Sequence, residues 1–103
     1  MTNWEIMQKI ISYIGFANKS RQLLVGQSLI KSYKNDIYLI LLDESASENL
    51  ESLAKNSASK HNCELIKVKD LAKLTNILDV KIVALTSESL AKAIINNKEN
   101  IIG

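Results

Sequence analysis

Residues Ile37 to Leu42 read IYLILL, six positions in a row without a polar side chain. A strand with one face in water alternates apolar and polar residues. A run with no alternation belongs to a strand covered on both faces. The run is also far short of the roughly 20 residues that span a bilayer. The chain must therefore lay other elements over both sides of a sheet. Its 103 residues set the size of one domain around one sheet, residues 1–103. Aromatic residues make up only 5%, so the core has to be built from Ile, Leu, Val and Ala. No proline and only three glycines interrupt the chain, which favours regular structure throughout.

The rest of the pattern supplies those covering elements. Trp4, Met7, Ile10, Ile11 and Ile14 recur at helical spacing and predict a first helix, capped by Thr2 or Asn3 and ended or bent at Gly15. Gln22 to Val25 is a short strand. A second helix from Gly26 to about Lys34 should bury Leu29, Ile30 and Tyr33. Ser45 and Glu48 have the spacing of a capping box ahead of a third helix, whose contact face is Leu50, Leu53, Ala54, Ser57 and Ala58. Glu64–Val68 is a strand, and Asp70 caps a short helix from Leu71 to about Leu74. Val80–Leu85 is the last strand. Thr86 or Ser87 caps a final helix burying Leu90, Ala91, Ile94 and Ile95. The polar residues from Asn96 onward, 96–103, should fray. This order predicts an α/β fold, a three-layer α/β/α sandwich around a small mixed sheet of four strands.

Little in the sequence suggests catalysis. There is no phosphate-binding Gly-rich loop, no zinc-protease helix motif and no nucleophile elbow. Cys63 is the only cysteine and His61 the only histidine, so neither an internal disulfide nor a zinc cluster can form. Beside an apolar strand, Cys63 reads as a packing residue. Asp43 and Glu44 follow the buried strand, where α/β folds often place sites. Adjacent residues on an extended segment point opposite ways, however, so their carboxylates need not share a Mg²⁺ ion. Loop solubility and capping explain them as well. No cofactor, metal or small-molecule substrate is implied. The chain starts without a secretion signal, and the expected location is the cytoplasm.

The net charge of +2 is too small to argue for nucleic acid; only clustering could. Lys19, Arg21, Lys31 and Lys34 are the cluster available, and Lys31 and Lys34 share a helix face. Gly26 opens that helix, where a backbone phosphate could come close to exposed N–H groups. The alternative is a solvated helix face with a glycine that only permits a turn.

Several segments in fixed order resemble one family. They are Gly15-Phe16-Ala17-Asn18-Lys19-Ser20-Arg21, then Val25-Gly26, then Lys31-Ser32-Tyr33-Lys34-Asn35. They continue with the apolar strand ending in Ser45-Ala46-Ser47-Glu48-Asn49, Asp70-Leu71, and Val83-Ala84-Leu85-Thr86. Over roughly residues 5 to 95 the chain resembles the ribosomal-protein superfamily that binds RNA kink-turns, often called the L-seven-Ae family, and more narrowly its small bacterial YlxQ-type members. The resemblance implies an α/β/α sandwich that grips RNA at one end of its sheet. In such proteins Asn, Glu and a following Lys at the start of the second helix read tandem sheared G·A pairs. A second loop packs against a bulged nucleotide.

Carried onto this chain, the Asn position falls on Ser28 and the Glu position on Leu29. The Lys falls on Lys31 if the helix is one residue shorter than usual, and otherwise on Ser32. Leu29 cannot accept a hydrogen bond from a base, so kink-turn specificity should be weakened. Family glycines of the second loop fall on Ala72 and Asn76. The implied RNA-binding set is Lys19, Arg21, Gly26, Gln27, Ser28, Lys31 and Lys34, with Lys73, Thr75, Asn76 and Ile77 as the second wall. The expectation is a monomeric, ribosome-associated or ribosomal-protein-like RNA-binding protein, not an enzyme, with structured RNA as partner and no membrane. One alternative is a protein-interaction module on the same fold that has lost RNA affinity. A Mg²⁺-dependent hydrolase would need carboxylates beyond Asp43 and Glu44.

Overall fold

The computed structural model describes residues 3–101. Helices and strands alternate: α1 Asn3–Lys19, β1 Leu23–Val25, α2 Gln27–Ser32, β2 Leu39–Asp43, α3 Glu48–His61, β3 Glu64–Val68, α4 Leu71–Thr75, β4 Ile82–Leu85 and α5 Glu88–Ile95, then a 3-10 turn at Lys98–Asn100. The sheet order is β1-β4-β2-β3. β2 pairs parallel with β3, while β4 runs antiparallel to both β1 and β2. The sheet is therefore mixed, and the fold is the α/β/α sandwich.

Why β2 is apolar throughout is now explicit. Leu39 and Leu41 point into the core shared with α1, α4 and α5, beside Ile10, Ile14, Leu71 and Ile94. Ile40 and Leu42 point the other way, into the core under α2 and α3, with Ile30, Ala54 and Ala58. All four leucine and isoleucine side chains are 0% exposed. Burying each one contributes about 1.5–3 kcal/mol, and truncating Leu41 to alanine would cost about 2–5 kcal/mol. No helix among the described residues is long and apolar enough to cross a membrane.

Several local expectations are corrected. Gly15 does not end α1, which continues to Lys19. Ile14 and Ala17 on either side of it are fully buried, so packing carries the helix across the glycine. Thr2 lies outside the described residues, and Asn3 is the first residue of the helix. The N-cap of α3 is Ser47, whose hydroxyl accepts the Leu50 N–H at 3.2 Å. Ser45 instead donates its hydroxyl to Asp43. Asp70 and Ser87 cap α4 and α5 as the sequence suggests. Leu29 is not in the core: α2 is only six residues long and buries Ile30, leaving Leu29 51% exposed. The polar tail carries more structure than its composition announces. Its 3-10 turn folds Ile101 into the α1 core at 4% exposure, and Lys98 donates to Glu64 at 2.9 Å. Residues 102–103 lie outside the described residues.

Candidate nucleic-acid interface

The strand directions decide which loops meet. β1, β2 and β3 all point the same way, and β4 opposes them. The C-terminal ends of β1, β2 and β3 and the start of β4 therefore share one end of the sheet. Gly26 leaves β1 there, its N–H donating to the Ile82 carbonyl at 3.0 Å. Asp43 leaves β2 beside it, with its N–H on the Lys81 carbonyl at 2.9 Å. The first turns of α2, α3 and α4 and the segment between α4 and β4 all start from this end.

Gly26 has φ 94° and ψ 158°, a conformation that residues with a Cβ avoid. A Cβ placed there would meet nothing within 4 Å. The glycine is needed for its backbone angle, and the space beside it is open. Gln27, Ser28 and Leu29 follow, all exposed. Leu29 stands at the surface, 51% exposed. Ser32 turns its hydroxyl back onto the Leu29 carbonyl at 3.3 Å, whereas Lys31 is exposed and makes no ion pair among the described residues.

The second wall changes more. Lys73 and Thr75 are helical, inside α4. Thr75 is 6% exposed; its hydroxyl donates to the Leu71 carbonyl at 2.9 Å and accepts the Ile77 N–H at 3.2 Å. It holds the end of α4 and offers nothing outward. Ile77 packs partly buried against the α1 core. Asn76, in the left-handed conformation, ends α4 and is exposed. The side chain that does stand out is Leu78, 88% exposed and outside the expected second wall. An apolar residue between Ile77 and Asp79 in a loop is the signal that could have found it.

The basic cluster divides. β1 separates Lys19 and Arg21 from Gly26 by about 10 Å, and they sit at the other end of the sheet. Thr86, at the end of β4, donates its N–H to the Gln22 carbonyl there. Lys34 lies beyond the end of α2, on the segment returning to the start of β2 at that same far end. Adjacency in the sequence groups charges that the strand pulls apart. At the near end, Lys81 is committed: its Nζ donates to Ser45 Oγ at 2.8 Å and lies 3.7 Å from Asp43 Oδ2. Lys69 and Lys73 make no ion pair among the described residues, but Glu44 and Asp70 line the same groove with them.

Asp43 itself is structural. It is 6% exposed and accepts from Leu71 N at 2.8 Å, from Ser45 N at 3.0 Å and from the Ser45 hydroxyl. Burial disfavours its charge, but the bonds from Ser45 and Leu71, with Lys81 nearby, outweigh that and hold its carboxyl below the usual value. Glu44 is exposed, and no group of three or more His, Cys, Asp or Glu placed to hold a metal ion exists among the described residues.

No protein-family model matches the chain, and no curated protein matches it. Among solved structures, a protein with unknown function from Bacillus halodurans C superimposes with a TM-score of 0.76. The match covers 88% of this chain and 97% of that one at 17% identity. At that identity the likeness carries the fold alone.

Proposed function

We propose that this chain is a small cytoplasmic RNA-binding protein of the kink-turn-binding type, working on the ribosome or in its assembly, with weakened kink-turn specificity and no catalytic role. The observation that carries the reading is the sharing of one sheet end by Gly26-Gln27-Ser28 and the segment before β4. Gly26 and Ile82 are joined there by a backbone hydrogen bond of 3.0 Å. Gly26 leaves open space where a sugar–phosphate backbone could lie, and Lys31, without an acidic partner among the described residues, follows on the same short helix. Exposed Leu78 offers an apolar surface to an unstacked base. Lys19, Arg21 and Lys34 have no part in this reading, because they sit toward the other end of the sheet.

A salt titration tests it. If Lys31 contacts a phosphate, Lys31→Ala should weaken RNA binding and reduce the slope of log affinity against log salt by somewhat under ~1 unit. An unchanged slope rejects that role.

One observation favours a second reading. Leu29 and Leu78, 51% and 88% exposed, are both apolar and both near this end. A protein-interaction module would present such residues to a partner protein. In that case, Leu29→Glu would abolish capture of the partner and the chain would bind no RNA.

A further inference from the structure

Between α2 and α3 lies a groove of about 690 Å³. From α2 it is lined by Gln27 and Lys31, and from α3 by the polar Asn49, Ser52, Asn56 and Ser57 together with the partly buried Leu50 and Leu53. Asn49, Ser52 and Asn56 recur at helical spacing on the face of α3 opposite Ala54 and Ala58, which are buried against the sheet. Among the described residues the lining contains no carboxylate, and Lys31 is its only charged group. α3 carries two acids in its first turn: Glu48 is exposed and adjoins Asn49, and Glu51 is held elsewhere. Glu51 Oε2 lies 2.9 Å from Lys67 Nζ, on β3, and 3.1 Å from Lys55 Nζ. Those two lysines keep its carboxyl below the usual value. The groove thus sets neutral amides and hydroxyls, beside Leu50 and Leu53, across from a lysine.

Such a lining suits one chemistry. Amides and hydroxyls both donate and accept, which matches ribose hydroxyls, and the lone ammonium matches a phosphate. A groove without carboxylates does not repel a polyanion. Resting on the RNA-binding reading, we propose that the α2–α3 groove holds the ribose–phosphate backbone of an RNA strand leaving the tip of α2. Lys31 sits on a phosphate, and Asn49, Ser52 and Asn56 sit on 2′-hydroxyls and phosphate oxygens. The groove would then distinguish RNA from DNA in the strand that flanks the structured element.

Ser52 and Asn56 are both exposed, so replacing them does not disturb the core. Ser52→Glu/Asn56→Glu fills the groove with negative charge. Ser12→Glu/Asn96→Glu adds the same charge at exposed positions outside it. Each protein is titrated with a kink-turn RNA carrying a single-stranded ribo- or deoxyribonucleotide flank, and its melting temperature is recorded. The groove variant should bind the ribose-flanked RNA at least tenfold more weakly than the control variant, with the same melting temperature. Wild type should lose several-fold on the deoxy flank, and the groove variant should lose nothing further. If the groove and control variants bind alike while wild type binds RNA, the groove assignment is overturned and the α2 site stands. Failure of wild type to bind either RNA overturns both.

Discussion

Asp43 Oδ1 accepts the backbone N–H of Leu71 at 2.8 Å, joining the end of β2 to the first turn of α4 across 28 residues of sequence. The same carboxylate takes two bonds from Ser45 and faces Lys81, so one side chain fixes the turn after β2, the start of α4 and the entry to β4. These are the connections from which the candidate RNA-binding end is built.

Removing that carboxylate should be expensive. Asp43→Ala leaves the Leu71 N–H and the Ser45 groups without their partner in a buried place, and should cost about 3 kcal/mol in denaturant unfolding. The pH dependence has a definite sign. The folded carboxyl titrates below its unfolded value, so its stabilisation is complete above the unfolded value and is lost as pH falls through the lowered one. The stability gap between wild type and Asp43→Asn should be full at neutral pH and narrow below about pH 4. A gap that stays constant into acid would contradict the charged, hydrogen-bonded state of Asp43.

The two internal glycines should respond in opposite directions. Gly15 lies inside α1, and a Cβ added to it would meet nothing within 4 Å, so Gly15→Ala should stabilise by about 0.5–1 kcal/mol. Gly26, at φ 94°, should lose about 1–3 kcal/mol when replaced by alanine, from backbone strain alone. Thermal melts of both variants check the pair. A Gly26→Ala protein that melts with wild type would show that the backbone there relaxes freely.

Cys63 should be slow toward thiol reagents. It is half-buried against the α2–α3 core, and burial pushes its thiol up, away from the reactive thiolate. Labelling of the native protein at the rate of a free thiolate would contradict a packing role.

Much of the fold was legible because burial on both faces leaves a plain signature. The unbroken apolar run of β2, the caps Asp70 and Ser87, and the α1 stripe from Met7 to Ile14 all carry local chemistry that the chain cannot express otherwise, whereas Trp4, the first residue of that stripe, stands 68% exposed. What the sequence could not display depended on partners distant along the chain. Ser45 has the spacing of a cap, but Asp43 claims its hydroxyl. Thr75 lies where a loop contact was expected, but α4 extends through it and buries it. The basic residues around Gly26 are neighbours in sequence, and only the direction of β1 shows that Lys19 and Arg21 belong to the opposite end. Leu29 fits an apolar helix face on paper, but a six-residue helix leaves it in water.

That exposure makes Ser28 and Leu29 open to redesign. Ser28→Asn/Leu29→Glu restores the groups that read sheared G·A pairs in the resembling family. Both positions are exposed, so the double change should leave stability within about 0.5 kcal/mol. Kink-turn affinity should rise selectively, by about 1–3 kcal/mol for a restored base contact. A rise that is equal for kink-turn and duplex RNA would mean that these positions do not read bases.

The most direct test is a competition titration of the unaltered protein with a standard kink-turn RNA and a plain duplex of equal length at low salt. RNA binding through backbone contacts, with Leu29 at a base-reading position, should give measurable affinity for both and a kink-turn preference of about tenfold or less. Binding to neither RNA would contradict the central claim and favour the protein-interaction reading, while tight binding confined to the kink-turn would contradict the weakened specificity.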